Sequence, residues 1–180
     1  MEFIMNPFGH FKTITKHRHM VMRNCFKAGI GFQGLFHDLS KYSPTEFIQG
    51  AKYYSGKHSP IRDERLEIGY SVAWMHHKGR NKHHYEYWTD SDPKTRKMSP
   101  VPMPDNYVKE MFCDRVAASK VYNGKEYNDY KPLEYLEREC LSWEIHPETE
   151  KKIRFLLQML IDKGEKETFR YLRNNKTIEI

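Results

Sequence analysis

The sequence predicts an all-α fold, and three observations support this class. Helical periodicity runs through almost all of the 180 residues. No Asn-Gly or Asp-Gly turn lies between alternating apolar segments, so the usual signal for a β-hairpin is absent from the sequence. Aromatic residues make up 14% of the chain although the mean hydropathy is −0.85, which indicates a folded core rather than a disordered chain.

Start and stop signals divide the periodic sequence into helices. Ser43-Pro44-Thr45-Glu46 has the pattern of a capping box with proline at the first helical position, and Ser59-Pro60 repeats this start. Gly29, Gly79 and Gly164 follow periodic segments and are expected to end them. The predicted helices cover about Thr13–Ala28, Gln33–Leu39, Ser43–Tyr54, Ser59–Lys78, Asp105–Tyr122, Leu133–Ser142 and Pro147–Lys163.

The remaining signals describe one domain. The stretch from Asp90 to Pro104 is rich in proline and is predicted to be a loop. The length of the chain fits a single domain, since domains typically contain roughly 100–200 residues. We therefore expect one domain over residues 1–180, with a core at about 10–124 and C-terminal helices at about 131–175.

Charge and composition exclude several classes of protein. Lysine and arginine number 30 and aspartate and glutamate 24, so the net charge is +6. No segment approaches the roughly 18 apolar residues of a membrane span, and the first residues lack the pattern of a signal peptide. Three widely spaced cysteines do not indicate a disulfide framework. These features predict a cytoplasmic protein with no membrane partner.

Histidine is unusually frequent, and nine of the ten histidines fall within the first 84 residues. Many histidines with few cysteines favour a site of histidine and carboxylate ligands over a zinc finger. On the first predicted helix, His17 shares the apolar face with Ile14 and Val21, whereas His19 lies on the opposite, basic face. A single histidine on an apolar face is more often a core residue than a ligand, so this helix alone favours a structural role for His17.

Further residues in the sequence favour a metal-ligand role for His17 over a structural one. His37 and Asp38 are adjacent, and both can reach an ion that lies between their directions, although a histidine at a helix end beside a solvated aspartate is the alternative. His77 points to the predicted core and His76 to its edge. Asp114 lies on the apolar face of its helix, where an unpaired carboxylate is costly, so it needs either a basic partner or a metal ion.

The segment Lys78–Trp88 follows directly and combines basic residues, two histidines and three aromatic residues. One interpretation is a basic surface turn. The other is a phosphate-binding lip above a metal site, because lysine and arginine pair with phosphate oxygens.

The order His17, His37-Asp38, Asp114 resembles the H…HD…D signature of the HD superfamily of metal-dependent phosphohydrolases, and HDLSK resembles its core motif. The longer run of HDLSKYSPTEF, HHKGRNKHHYEYW and MPDNYVKEMFCD is similar to a bacterial and phage family of unknown function. The resemblance spans about Lys16–Ala118. It implies an HD-domain-like helical bundle that holds its metal between helices.

The resemblance also implies a reaction and its residues. The reaction is hydrolysis of a phosphomonoester or phosphodiester, plausibly a nucleotide. The expected ligands of one or two divalent ions (Mn, Fe, Ni, Co, Zn or Mg) are His17, His37, Asp38, His76, His77 and Asp114. The expected catalytic residues are Lys41, Asn81, His83 and His84, with a histidine protonating the leaving oxygen. Phosphate is expected to contact Arg80, Lys82 and Arg115.

Two other function classes stay open. One is a non-catalytic, metal-containing protein that binds nucleic acid, since five basic and no acidic residues lie between Phe3 and His37 and four of the five share a helix face. The other is a di-iron oxygenase, because the HD superfamily includes an oxygenase branch. The sequence predicts neither the substrate nor the oligomeric state.

Overall fold

The computed structural model describes residues 4–140 and 144–180. Within them the chain forms eight helices and one antiparallel pair of short strands, which confirms the all-α class. The helices are α1 Pro7–Lys27, α2 Gly31–Gly34, α3 Pro44–Lys52, α4 Pro60–Ile68, α5 Val72–Lys78, α6 Asp105–Asn123, α7 Lys131–Cys140 and α8 Pro147–Asn174. The strands are β1 Thr89–Ser91 and β2 Met98–Pro100, and single 3₁₀ turns cover Leu39–Tyr42, Tyr85–Tyr87 and Gly124–Glu126.

Helix α1 begins earlier than the predicted start near Thr13. Asn6 caps the helix, since its Oδ1 accepts a hydrogen bond of 2.8 Å from the backbone N–H of Gly9. Pro7 occupies the first helical position, where a missing N–H costs nothing. The Asn-Pro pair is thus the start signal of this helix, and helical periodicity alone does not reveal it.

The single helix predicted over Ser59–Lys78 is wrong, because the chain forms two helices there. Helix α4 ends at Gly69, whose φ of 84° is left-handed and favours glycine. Ser71 caps α5, accepting a hydrogen bond of 2.9 Å from the N–H of Trp74. The buried carboxylate of Glu64 accepts hydrogen bonds from the Ser71 hydroxyl and, at 2.9 Å, from the N–H of Val72. These contacts set the direction of α5 independently of α4.

The loop predicted over Asp90–Pro104 is also partly wrong, since it contains the β1–β2 hairpin. Asp92 shapes its turn by accepting hydrogen bonds from the N–H groups of Lys94 at 2.9 Å and Thr95 at 2.7 Å. Arg96 completes the turn with a φ of 61°. Hydrogen bonds from an aspartate side chain therefore stabilise the turn of this hairpin. This explains why the sequence contains no Asn-Gly or Asp-Gly pair at the turn.

Gly164 breaks helix α8 but does not end it. Its φ of 74° and ψ of 170° are non-helical, and the helix then resumes as far as Asn174. Phe169 and Leu172 lie in this last part and are buried in the core, so tertiary packing favours the continued helix. The predicted end of α7 near Ser142 lies outside the described residues.

Helix α6 carries much of the core, and α1, α7 and α8 pack against it. Helix α3 packs against α1 on one side and α5 on the other. Cys25 and Cys113 are buried free thiols. No helix in the described part of the chain has the length and apolar character needed to cross a membrane. The packing of α1 on α6 has one polar edge, where His17 of α1 lies 3.0 Å from Asp114 of α6.

Candidate metal centre

Buried polar side chains from several elements converge at this polar edge. Helix α1 contributes His17, the segment after α2 contributes His37 and Asp38, α5 contributes His77, and α6 contributes Asp114. His83 and His84, in the turn that follows α5, complete the cluster. The histidines and carboxylates that the sequence spreads over about a hundred residues thus meet in one place.

Asp38 owes its orientation to an unusual backbone conformation. Its φ of 56° and ψ of 22° lie in the left-handed region, which residues with a Cβ rarely adopt and which aspartate tolerates better than most. The helix predicted over Gln33–Leu39 is therefore wrong, since α2 ends at Gly34. This turn brings His37 Nε2 to 3.2 Å from Asp38 Oδ2, whereas neighbours in a helix diverge by about 100°.

The first donor group consists of His17, His37, Asp114 and the Oδ2 atom of Asp38. His17 Nε2 lies 3.0 Å from Asp114 Oδ1 and 3.5 Å from Asp38 Oδ2. His37 Nε2 lies 3.9 Å from Asp114 Oδ1. His17, His37 and Asp114 therefore lie close enough together to bind one ion, and Asp38 Oδ2 lies beside both imidazoles.

The second donor group consists of His77, His83, His84 and the Oδ1 atom of Asp38. Asp38 Oδ1 lies 3.3 Å from His77 Nε2 and 3.4 Å from His83 Nε2. The Nε2 atoms of His77 and His84 are 3.0 Å apart. Asp38 is thus shared by the two donor groups, with one carboxylate oxygen in each.

These spacings fit divalent ions. Donors placed about 2.1 Å from a common ion lie about 3.0 Å apart in an octahedron and about 3.4 Å apart in a tetrahedron. The buried Nε2 atoms of His17, His37 and His83 and both oxygens of Asp38 lack a hydrogen bond of good geometry, although Lys41 Nζ approaches Asp38 Oδ2 to 2.6 Å. Buried polar atoms without partners are costly, and a bound cation would remove that cost. Imidazole and carboxylate donors suit Mn, Fe, Co, Ni or Zn.

Two carboxylates outside the two donor groups hold the imidazoles of these groups in place. The sequence did not predict this role for either carboxylate. Glu110 on α6 lies 2.8 Å from His37 Nδ1 and 3.3 Å from His83 Nδ1, so it connects the two donor groups. Glu46 on α3 lies 2.7 Å from His77 Nδ1. A carboxylate that accepts a hydrogen bond from Nδ1–H keeps the proton on that nitrogen and leaves the Nε2 lone pair for a metal ion.

A cavity of about 470 Å³ opens onto the cluster. Its lining includes the donors His17, His77, His84 and Asp114. The cationic side chains on its walls are Lys41, Lys57, Arg115, Lys131 and Arg138. The volume lies in the usual range for small-molecule sites, roughly 300–1,000 Å³.

A protein-family model described as "Family of unknown function (DUF5662)" matches residues 6–159, which include every member of the donor groups. The chain belongs to the DUF5662 family. Searches of curated proteins and of solved structures find no match. The geometry of the site itself therefore indicates the chemistry of this DUF5662 member.

The remaining predicted residues of the DUF5662 protein fall into different places. His76 lies outside the donor groups, and its Nδ1 contacts Glu46 Oε1 at 2.6 Å. The Asn81 amide donates to Ser40 Oγ at 2.7 Å and to the carbonyl of His77 at 2.8 Å, so it orients α5 and the turn after it. His83 is 2% exposed and does not line the cavity, which favours a ligand over a proton donor.

The predicted phosphate contacts separate in the same way. Arg115 lines the cavity, but Arg80 and Lys82 do not. Arg80 donates to the carbonyl of His76 at 3.2 Å, and Lys82 lies over the rings of Tyr87 and Tyr107. Of the three predicted phosphate contacts, only Arg115 therefore lines the cavity beside the metal centre, whereas Arg80 packs on its own segment and Lys82 on Tyr87 and on Tyr107 of α6.

The ionisable groups of the cluster shift one another's pKa values. Burial disfavours the charged form of His37, but the carboxylates of Asp38, Glu110 and Asp114 outweigh it and raise the pKa of His37 to about 10. Burial alone would raise the pKa of Glu110, yet hydrogen bonds with His37 and His83 lower it to about 2. Burial and the neighbouring imidazoles of His83 and His77 hold the pKa of His84 well below its usual range, so His84 is neutral.

We expect metal binding to release protons. Without metal, His37 keeps its proton up to about pH 10, and an ion that binds Nε2 must displace it. The apparent metal affinity should therefore rise from pH 6.5 towards pH 10, by about tenfold per pH unit for one displaced proton. Calorimetric titration with Mn²⁺ in buffers of different ionisation enthalpy measures the number released. An affinity that is flat or falls with pH over this window would contradict the prediction.

Proposed function

We propose that this DUF5662 protein is a metal-dependent phosphohydrolase with an HD-domain-like bundle, acting on a phosphomonoester or phosphodiester of a small molecule such as a nucleotide. One observation carries the proposal. Asp38 lies beside His17 and His37 through one oxygen and beside His77 and His83 through the other, and this cluster opens into a cavity whose walls carry several cationic side chains. A paired cation site beside cationic walls suits a phosphate group, which needs charge compensation on several oxygens.

The chain order of the ligands supports the same proposal. His17, the His37-Asp38 pair and Asp114 form the first donor group in the order of the HD signature. The second donor group differs in detail from the prediction, because His83 and His84 take the place expected for His76. Both histidines come from the turn that Asn81 anchors, so the site uses the segment after α5 rather than two adjacent helix positions.

Each residue then has a defined task. Bound divalent ions would lower the pKa of a water molecule and polarise the phosphoryl oxygens. Asp38 would help to hold the ions together with the histidines of the two donor groups, and Glu110 and Glu46 orient those imidazoles through their Nδ1 atoms. Lys41 and Arg115 face the cavity and neutralise the phosphate oxygens that approach the metal centre.

Nucleic-acid binding is the second candidate, and one observation favours it. The side chains of the basic face of α1 are exposed on the side away from His17; they are Lys12, Lys16, His19, Arg23 and Lys27. Such a face attracts phosphate backbones through charge alone. Binding to DNA or RNA that weakens steeply with salt but ignores chelator would favour this function.

The first experiment is metal analysis of the full chain purified without added metal or chelator. Near-stoichiometric Mn, Fe, Co, Ni or Zn is the expected result. The loaded protein is then assayed on 4-nitrophenyl phosphate, bis(4-nitrophenyl) phosphate and nucleotides, with and without chelator. Chelator-sensitive release of phosphate or nitrophenol supports the proposal. Iron with oxygen consumption and no hydrolysis would identify an oxygenase, and no metal after reconstitution would make the histidines structural.

A further inference from the structure

Helix α7 contributes part of the cavity lining that the metal centre does not use. We name Lys131, Tyr135 and Arg138, together with Glu134, the α7 wall. Among the described residues, none from α7 belongs to a donor group. The helix also lies outside the stretch Lys16–Ala118 that carries the HD resemblance. The cationic side chains of this wall therefore have no role in the proposed chemistry at the metal centre.

The α7 wall places the guanidinium group of Arg138 against an aromatic ring at the exposed side of the cavity. The guanidinium carbon of Arg138 lies 5.6 Å from the centre of the Tyr135 ring, and that of Arg115 lies 5.8 Å from the same ring. A guanidinium stacked on an aromatic ring keeps its planar fork of donors in one orientation. Tyr135 thus gathers two cations from different helices at one place on the cavity.

Neighbouring charges leave this part of the cavity cationic. Lys131 is paired with Glu134 at 2.7 Å, so these two charges compensate each other. Arg138 and Lys57 add positive charge from α7 and from the segment before α4. A planar guanidinium with a second cation nearby is the arrangement that binds phosphate through two parallel hydrogen bonds.

The volume of the cavity connects this wall with the metal centre. A space of about 470 Å³ is lined at once by the donors His17 and Asp114 and by Tyr135 and Arg138. A single phosphate group would occupy a small part of it. A ligand that fills the cavity contacts both regions.

We infer that the α7 wall is a second anion subsite, which binds a phosphate group of the substrate other than the one hydrolysed. The inference rests on the proposed function, because it assumes that the reacting phosphate lies at the metal centre. The preferred substrate class is then a bisphosphate rather than a monophosphate. The structure assigns Arg138 as the residue that determines this preference.

Binding measurements test the inference without relying on turnover. The Mn²⁺-loaded full chain is titrated with linear alkyl bisphosphates of increasing spacer length and with the matching alkyl monophosphates. We expect at least one bisphosphate to bind roughly tenfold or more tightly than its monophosphate, the effect of one charge-assisted contact. In Arg138→Gln this preference should disappear. Arg170→Gln, which changes an exposed arginine of α8, should keep it.

The outcomes distinguish a failure of the anion subsite from a failure of the proposed phosphohydrolase function. Equal affinity for mono- and bisphosphates at every spacer, or a preference that survives in Arg138→Gln, overturns the subsite. A preference lost only in Arg138→Gln supports it, even if no phosphoester is hydrolysed. Absence of hydrolysis together with that result would refute the proposed function and leave the α7 wall as an anion-binding site. Circular dichroism and thermal melting of Arg138→Gln show whether its fold is intact.

Discussion

Replacing Asp38 with asparagine is expected to remove the divalent metal from the purified protein and to lower phosphoester hydrolysis by at least about a thousandfold, or several kcal/mol of transition-state stabilisation. Asp38 is the residue shared by both donor groups, with Oδ2 in one and Oδ1 in the other. An amide in its place is neutral, so an ion at the first donor group would keep only Asp114 as an anionic ligand and an ion at the second would keep none. Metal analysis and the phosphoester assay measure the two effects.

Asparagine is the informative replacement because it tolerates the left-handed backbone found at position 38. The fold should therefore persist, as far-ultraviolet circular dichroism would show. Asp162→Asn is the matched control, since Asp162 is an exposed residue of α8, and it should retain full metal content and activity. Wild-type metal content in Asp38→Asn would refute the shared-carboxylate arrangement.

Replacing Glu110 with glutamine is expected to weaken metal binding by about 10- to 100-fold, the usual effect of losing an outer carboxylate. Glu110 touches His37 Nδ1 and His83 Nδ1, which belong to different donor groups. Its loss should therefore weaken both ions, whereas Glu46→Gln should weaken only the ion bound by His77. Calorimetric titration with Mn²⁺ resolves the two binding steps.

One control variant and two possible outcomes test this interpretation of Glu110. Glu150→Gln removes a surface ion pair with Arg154 and should leave both binding steps unchanged. Loss of stability without loss of affinity in Glu110→Gln would show that Glu110 is a packing residue only. A selective loss at one step would show that it does not connect the two donor groups.

Local signals in the sequence were sufficient for the residues on long regular helices. The apolar face of α1 selected His17 over His19, and the structure buries His17 and exposes His19. The same argument placed Asp114 on the inward side of α6, where it meets His17 at 3.0 Å. Helical periodicity works here because α1 and α6 bury continuous apolar faces against each other.

Local signals failed where backbone turns or distant partners decide orientation. His83 and His84 lie outside any long helix, so no periodicity indicates that they join His77 around Asp38. Nothing in the sequence marks Glu110 as a partner of His37, and Glu46 is predicted only as part of a helix cap. Their contacts with His37 and His77 join residues more than thirty positions apart or on different helices, which a single sequence does not display.

The sequence by itself determined the all-α class and the inward-facing positions of His17 and Asp114, because these depend on helical periodicity. The grouping of both residues with His37 and Asp38 as metal ligands was predicted from the resemblance to the HD signature. Only the tertiary structure decided that Asp38 is shared by two donor groups, that His83 and His84 replace His76, and that Arg138 lines the same cavity. The physical reason is that these features depend on a left-handed turn at Asp38 and on the packing of α5 against α3 and of α7 against α6. Non-local packing brings the donors together, and no local pattern of residues encodes their distances.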